Sequence, residues 1–210
     1  KLYSSAATNG RGGTITTNIT KTNIKGWYTK FQGSLKRFGD YQSSNYIMSN
    51  TGLKEKNFSF NTGLNRIDYG FDVYYSFFNN ETGILRASHL ISAQDILRGI
   101  TNGTPLIIED FTYDIDAPKQ KTKHNLAKIN IFKNFNVGQF NFQYDFQSNN
   151  RKEYDIRRGD DRNKPSTDLE LTTHSLALDF DSRFSNSLNL KFGIVGKYQK
   201  NFPDPSTGVR

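Results

Sequence analysis

Cysteine is absent from the 210 residues, which excludes a disulfide framework, a thiol nucleophile and a cysteine-ligated metal. Methionine and tryptophan occur once each. Missing too is any run approaching the roughly 20 consecutive apolar residues that a membrane-spanning helix requires. The mean hydropathy of −0.71 therefore argues against transmembrane helices, but not against a membrane. A transmembrane strand needs only about 10 residues with every second one apolar, so a barrel crosses a bilayer while its average composition stays polar. Lys and Arg exceed Asp and Glu, for a net charge of +8. They are scattered, with no basic run of five or more, and no nucleic-acid partner is expected.

What is abundant is aromatic: 17 Phe and 11 Tyr within a hydrophobic fraction of 34 %. Their spacing is the strongest signal. From Gln139 to Gln147, Phe140, Phe142, Tyr144 and Phe146 alternate with Asn141, Gln143 and Asp145, and Leu188, Leu190, Phe192, Ile194 and Tyr198 alternate with Asn189, Lys191, Gly193, Lys197 and Gln199. A period of two segregates those residues onto the faces of a strand, and no helix can do so. Phe71, Val73, Tyr75 and Phe77, then Phe58, Phe60 and Leu64, and Ile15, Thr17 and Ile19 follow the same rule. Further strands are expected from Trp27 to Phe38, from Asn125 to Lys133 with Ala127, Ile129 and Ile131 on one face, and from Leu169 to Phe184. In the last, Leu169 and Leu171 are out of phase with His174, Leu176, Leu178 and Phe180, which predicts a bulge near Thr172 and Thr173.

About eight antiparallel strands result, and their connections alternate in length. Lys21 to Gly26, Arg66 to Gly70, Asn134 to Gly138 and Ser182 to Ser187 are short, whereas Gly39 to Lys54, Asn80 to Lys123 and Asn150 to Asp168 are long and polar. Short turns at one end and long loops at the other are the pattern of outer-membrane barrels. In the longest loop, Ser92-Ala-Gln-Asp95 reads as a capping box ahead of Ile96 and Leu97, with Gly99 and Gly103 available to stop a short helix.

Catalytic chemistry finds little support. The histidines His89, His124 and His174 form no metal-ligand spacing, and the neighbouring carboxylates Glu109–Asp110 and Asp160–Asp161 lie in loops without fixed geometry. No phosphate-binding glycine loop, nucleophile elbow or zinc-protease helix occurs. We therefore expect no enzyme, no cofactor and no metal. The cluster Arg151, Lys152, Arg157, Arg158 and Arg162 is either a solvated loop or a hold on the phosphates of surface lipopolysaccharide or another anionic ligand.

Asn80-Glu-Thr-Gly-Ile-Leu-Arg-Ala-Ser-His89 resembles a stretch in the barrels of TonB-dependent outer-membrane receptors, particularly those of Bacteroidetes-type bacteria. The resemblance continues through Phe111-Thr-Tyr-Asp-Ile-Asp-Ala-Pro-Lys-Gln120, His124-Asn-Leu-Ala-Lys128, Arg151-Lys-Glu-Tyr-Asp-Ile-Arg-Arg-Gly159 and Asp204-Pro-Ser-Thr-Gly-Val-Arg210. It implies part of a 22-stranded barrel in the outer membrane of a Gram-negative bacterium, in contact with outer-membrane lipid and lipopolysaccharide. Such receptors surround a plug that couples to TonB and import scarce nutrients, here most simply an iron-siderophore or similar metal complex. Neither the plug nor the TonB-contacting segment is among these residues, so the chain reads as an internal barrel piece, residues 1–210 belonging to one barrel domain. Glu81, Arg86, His89, Arg157 and Arg158 match family-like loop positions and are the candidates for ligand capture.

Two other architectures remain open. One is a self-contained eight-stranded outer-membrane barrel with a structural or adhesion role. It would pack its lumen with interlocking charges, and Gly33, Gly63 and Gly193 at or beside inward positions favour a wider barrel. The other is a soluble sandwich binding carbohydrate through aromatic residues, which would gather Trp and Tyr at loop tips instead of along strand faces.

Overall fold

The structure is a computed structural model that describes residues 1–88, 92–156, 163–185 and 188–203. Where side chains alternate between bulky apolar and amide, hydroxyl or charged groups, the chain is extended, because β-branched and aromatic side chains fit a pleated surface. The strands are β1 (Leu2–Ala7), β2 (Gly12–Thr22), β3 (Trp27–Phe38), β4 (Tyr41–Gln42), β5 (Ile47–Met48), β6 (Leu53–Asn65), β7 (Tyr69–Gly83), β8 (Lys119–Phe135), β9 (Gly138–Tyr154), β10 (Thr167–Ser185) and β11 (Leu188–Pro203). All but β4 and β5 form one antiparallel sheet of nine strands in the order β1-β2-β3-β6-β7-β8-β9-β10-β11, while β4 and β5 pair separately. The sheet is open: β1 and β11 are its edges and do not pair with each other.

Register joins the separate apolar rows into one face. Ile19 pairs with Phe31, Phe31 with Phe60, Phe60 with Tyr75, and Tyr75 with Ala127. Ala127 then meets Phe146, Phe146 meets His174, and His174 meets Tyr198. Lower down, Trp27, Leu64, Phe71, Ile131, Phe142, Leu178 and Ile194 make a parallel row. Directly opposed residues project to the same side of a sheet, so one face is apolar across β2 to β11. The other carries Ser34, Asn61, Asp72, Lys128, Asp145, Ser175 and Lys197.

Nothing covers the apolar face among the described residues. Ile15 is 56 % exposed, Phe31 42 %, Phe60 40 % and Ile194 70 %, whereas the buried hydrophobic core of the described residues amounts to Leu64 and Ala87, each 8 % exposed. Each strand of the large sheet packs mainly on its neighbours in that sheet, and the only other sheet among the described residues, the two-stranded β4–β5, touches its rim and not its apolar face. The sandwich architecture is therefore not observed.

The two rims differ in loop length except at residues 8–11, a turn of four residues at the long-loop end. Residues 23–26, 66–68 and 136–137 are tight turns at one end, while residues 8–11, 39–52, 84–118 and 155–166 join strands at the other. Gly26 shows why such turns are sequence-specific: its φ is +84°, and a Cβ there would lie 2.2 Å from the Asn65 carbonyl oxygen. Asn23 closes the same turn, its side-chain oxygen accepting from the Lys25 and Trp27 amides.

Four expectations need correction. The large sheet has nine strands rather than about eight, because β1 forms by pairing with β2 although Leu-Tyr-Ser-Ser-Ala-Ala shows no alternation. Strands also run further into the long-loop end: β7 continues to Gly83, β8 begins at Lys119 and β9 reaches Tyr154, so the longest loop is residues 84–118. No bulge interrupts Thr172 and Thr173, whose pairing to Ser148 and Gln147 and to Lys200 and Gln199 is continuous. Leu169 and Leu171 simply lie on the polar face opposite Arg151 and Asn149. Gly33, finally, belongs to the apolar side, between Thr17 and Phe58.

The short helix forms as its caps dictate. α1 (Ala93–Asn102) starts at Ser92, whose hydroxyl oxygen accepts from the Asp95 amide, and ends at Gly103 in the left-handed conformation, φ 65°. Gly99 lies within the helix and does not stop it.

Candidate functional site

The polar face is a wall of side chains bridging adjacent strands. Asp72 on β7 accepts hydrogen bonds from the Tyr28 hydroxyl of β3 at 2.5 Å, from the Asn61 amide of β6 at 2.5 Å and from the Asn130 amide of β8 at 3.2 Å. One carboxylate thus ties four strands together. Asp145, 7 % exposed, receives the side-chain amides of Gln143 and Gln147, and Asp179 receives Asn141. A hollow of about 700 Å³ opens between Lys30, Asn61, Asp72, Tyr74, Lys128 and Asn130. Its lining of amides, hydroxyls, cations and one carboxylate suits a polar solute or polar protein surface.

At the long-loop end a cap of polypeptide is locked by buried polar groups. Asp40, 1 % exposed, accepts from the Thr51 and Thr112 amides. Asn50 donates to the Ile84 and Pro118 carbonyls and accepts from the Asp116 amide. Ser49 accepts from the Glu109 amide. Residues 39–52 are thereby bonded to residues 84–118, whose approach at Gly39 is so close that a Cβ would meet the Phe111 ring at 2.5 Å.

The structure separates the candidate ligand residues. Arg86 belongs to the cap, its guanidinium 2.7 Å from Glu109 and 3.8 Å from Asp116. Glu81 lies in β7 rather than in a loop, on the continuation of the apolar side beyond Phe77, and contacts Lys119 at 3.0 Å and Lys121 at 3.3 Å. Partial burial raises its pKa, but the hydrogen bonds and charges of those two lysines outweigh it and hold the carboxyl below its ordinary value. No bond joins Glu81 to Arg86 among the described residues. His89, Arg157 and Arg158 lie outside the described residues, as does Arg162. Of the remaining basic cluster, Arg151 faces the polar side, beside Glu153, and Lys152 the opposite one, 2.6 Å from Asp168.

No family model matches the chain, and neither does any curated protein or solved structure. The site is therefore defined by its own geometry.

That geometry includes residues that sequence reasoning passed over. Asp40, Ser49 and Asn50 carry no local motif; apart from Thr51, 11 residues from Asp40, their partners lie 34 to 72 residues away. Asp72 is likewise silent, since its three donors come from three other strands. A signal did exist for the lysines. Lys119, Lys121 and Lys123 continue the alternation of Ala127, Ile129 and Ile131, and Lys54 and Lys56 continue that of Phe58 and Phe60. His174 packs within the apolar face as expected of a ring there, its Nδ1 2.8 Å from the Tyr144 hydroxyl and its ring 5.0 Å from Phe146.

Proposed function

We propose that the chain is the wall of an outer-membrane β-barrel, its apolar face toward lipid and its polar face toward an aqueous or protein-filled interior. The supporting observation is the predominantly apolar face on a single-layered sheet, interrupted on β2, β3 and β6 by the row Lys21, Thr29 and Thr62. Exposed apolar patches on soluble monomers rarely exceed a few hundred Å², whereas here every strand from β2 to β11 in the large sheet contributes. Its apolar rows run over residues 27–35 on β3, 69–77 on β7 and 188–198 on β11, near the roughly 9 to 11 residues a tilted strand uses to span a bilayer. An open edge in lipid leaves backbone N–H and C=O groups without partners, so β1 and β11 require further strands to close the barrel.

Within that reading, the function we assign is part of a TonB-dependent transporter importing a scarce nutrient, most simply an iron-siderophore complex. Its support is the series of loop and strand-end resemblances from Asn80 onward, together with a sheet of nine strands that has not closed on itself. A small closed barrel of eight strands fits the open edges less well.

Trp27, the single tryptophan, lies on the apolar face, 44 % exposed, and gives a direct test. With the chain reconstituted in phosphatidylcholine vesicles, brominated acyl chains should quench its fluorescence while a water-soluble quencher should not. Quenching only from water would refute the orientation. The transport assignment has its own measurement: uptake of a radioactive ferric complex by iron-starved cells should fall when the gene is deleted, and unchanged uptake of every iron complex tried would remove iron from the reading.

A further inference from the structure

Immediately beyond the aromatic rows, on the same face, the sheet changes from apolar to cationic. In β6 the alternation runs Phe60, Phe58, Lys56, Lys54. In β8 it runs Ile129, Ala127, Asn125, Lys123, Lys121, Lys119, and in β9 Tyr144, Phe146, Ser148, Asn150, Lys152. Register aligns these endings: Arg37 pairs with Lys54, Lys54 with Glu81, Glu81 with Lys121, and Lys121 with Lys152. One step lower, Lys56 pairs with Asn79 and Asn79 with Lys123.

The opposite face at the same height is balanced. There Lys36 lies 3.8 Å from Glu55, and Arg151 pairs with Glu153. On the apolar side the facing carboxylates are Glu81, engaged by Lys119 and Lys121, Asp168, engaged by Lys152, and Glu170 on the next strand. Among the described residues Lys54, Lys56 and Lys123 are in no ion pair. The excess positive charge therefore belongs to the face that continues the apolar rows.

Two grooves meet on this band. One, of about 1050 Å³, runs past Ile15, Leu35, Arg37 and Tyr113; the other, of about 340 Å³, lies among Lys121, Lys123, Asn150 and Lys152; Lys54 and Lys56 line both. An apolar floor leading to unpaired ammonium groups is the shape of a site for an amphiphile with an anionic head.

We propose that this band binds the phosphate groups of an anionic membrane lipid, with Lys54, Lys56 and Lys123 as the principal contacts and the acyl chains lying along Ile15 and Leu35. The proposal rests on the apolar face being the lipid-facing one. Lysine is suited to the role as a compact charge on a flexible stem that keeps its ammonium at the head-group level while its methylenes lie on apolar surface. Each such cation near an anionic surface adds attraction within about a Debye length.

The test uses the full chain in vesicles of phosphatidylcholine alone or with a minor fraction of a diphosphorylated lipid, with lipid retained on the purified protein counted by native mass spectrometry. Lys54→Gln/Lys56→Gln/Lys123→Gln should lower retention of the phosphorylated lipid about tenfold. Lys30→Gln/Lys128→Gln/Lys197→Gln, equal in charge change but on the polar face, should leave it within about twofold. Trp27 quenching by brominated chains reports insertion separately. Insertion without preference for the phosphorylated lipid, or equal loss in both triple variants, would overturn the lipid site and leave the barrel standing; failure to insert would overturn both.

Discussion

At the scale of the residue, side-chain chemistry is legible only when the face it occupies is known. Phe142 pairs with Ile131 and Leu178 on the apolar side, while Gln143 beside it faces the polar wall. Phe142→Arg should therefore cost roughly 2 to 4 kcal/mol in a bilayer, and Gln143→Arg less than about 1 kcal/mol. Urea titration of each variant in vesicles checks this, and equal costs would contradict the orientation. Glu81 offers a pH test. Its folded pKa is lowered from 4.5, so its contacts with Lys119 and Lys121 add stability above that value and lose it as the pH falls through the lowered one. Glu81→Gln should flatten the acid limb of the unfolding midpoint, and an unchanged slope would assign that limb to other carboxylates.

Elements depend on junctions more than on their interiors. Asn50 is the hinge pin of the cap: it sits at φ 64° and its side chain bonds Ile84, Pro118 and Asp116. Asn50→Ala removes all three bonds and strains the backbone, so the cap should open. Amide hydrogens in the described parts of the cap should then exchange roughly five- to a hundredfold faster, for a loss of about 1 to 3 kcal/mol. Protection unchanged from that of the parent chain would show that the cap is held elsewhere. Gly26→Ala, with φ +84° and the Asn65 carbonyl in the way, should slow or misregister the pairing of β3 with β6, read as a fall in folded yield in lipid. The helix α1 was foreseeable from Ser92 and Gly103 because capping is local. The change of phase near Thr172 marks no bulge, because a strand whose two ends face different surroundings changes its polarity pattern without changing its backbone.

For the whole molecule, the decisive property is that the large sheet has one layer, two chemically distinct faces and two unpaired edges. On the proposed reading, water is the solvent of one face only. Radical footprinting should find Phe192 and Ile194 labelled in detergent-free aggregate-prone material but shielded in vesicles, with Lys197 and Gln199 on the other face labelled in both. Loss of the contrast between neighbours would mean that neither face meets lipid. The closed eight-stranded alternative makes a further distinction, since it would require β1 to pair near the far edge, and the register offers β1 only β2.

Local chemistry alone determined much of this: alternating Phe, Tyr, Leu and Ile dictate strands, Asn and Gly dictate the short turns, and Ser92 dictates a helix start, because each acts over one to four residues. Tertiary structure alone decided which rows share a face. The pairing of Phe31 with Phe60, of Lys54 with Glu81 and of Asp72 with donors from three strands is a matter of register, and register is a cooperative property of neighbouring strands that no single strand contains. For the same reason Glu81, which reads as a loop residue in the linear chain, lies in a strand beside a band of lysines, and Asp40 and Asn50, inconspicuous among polar neighbours, hold the loops together.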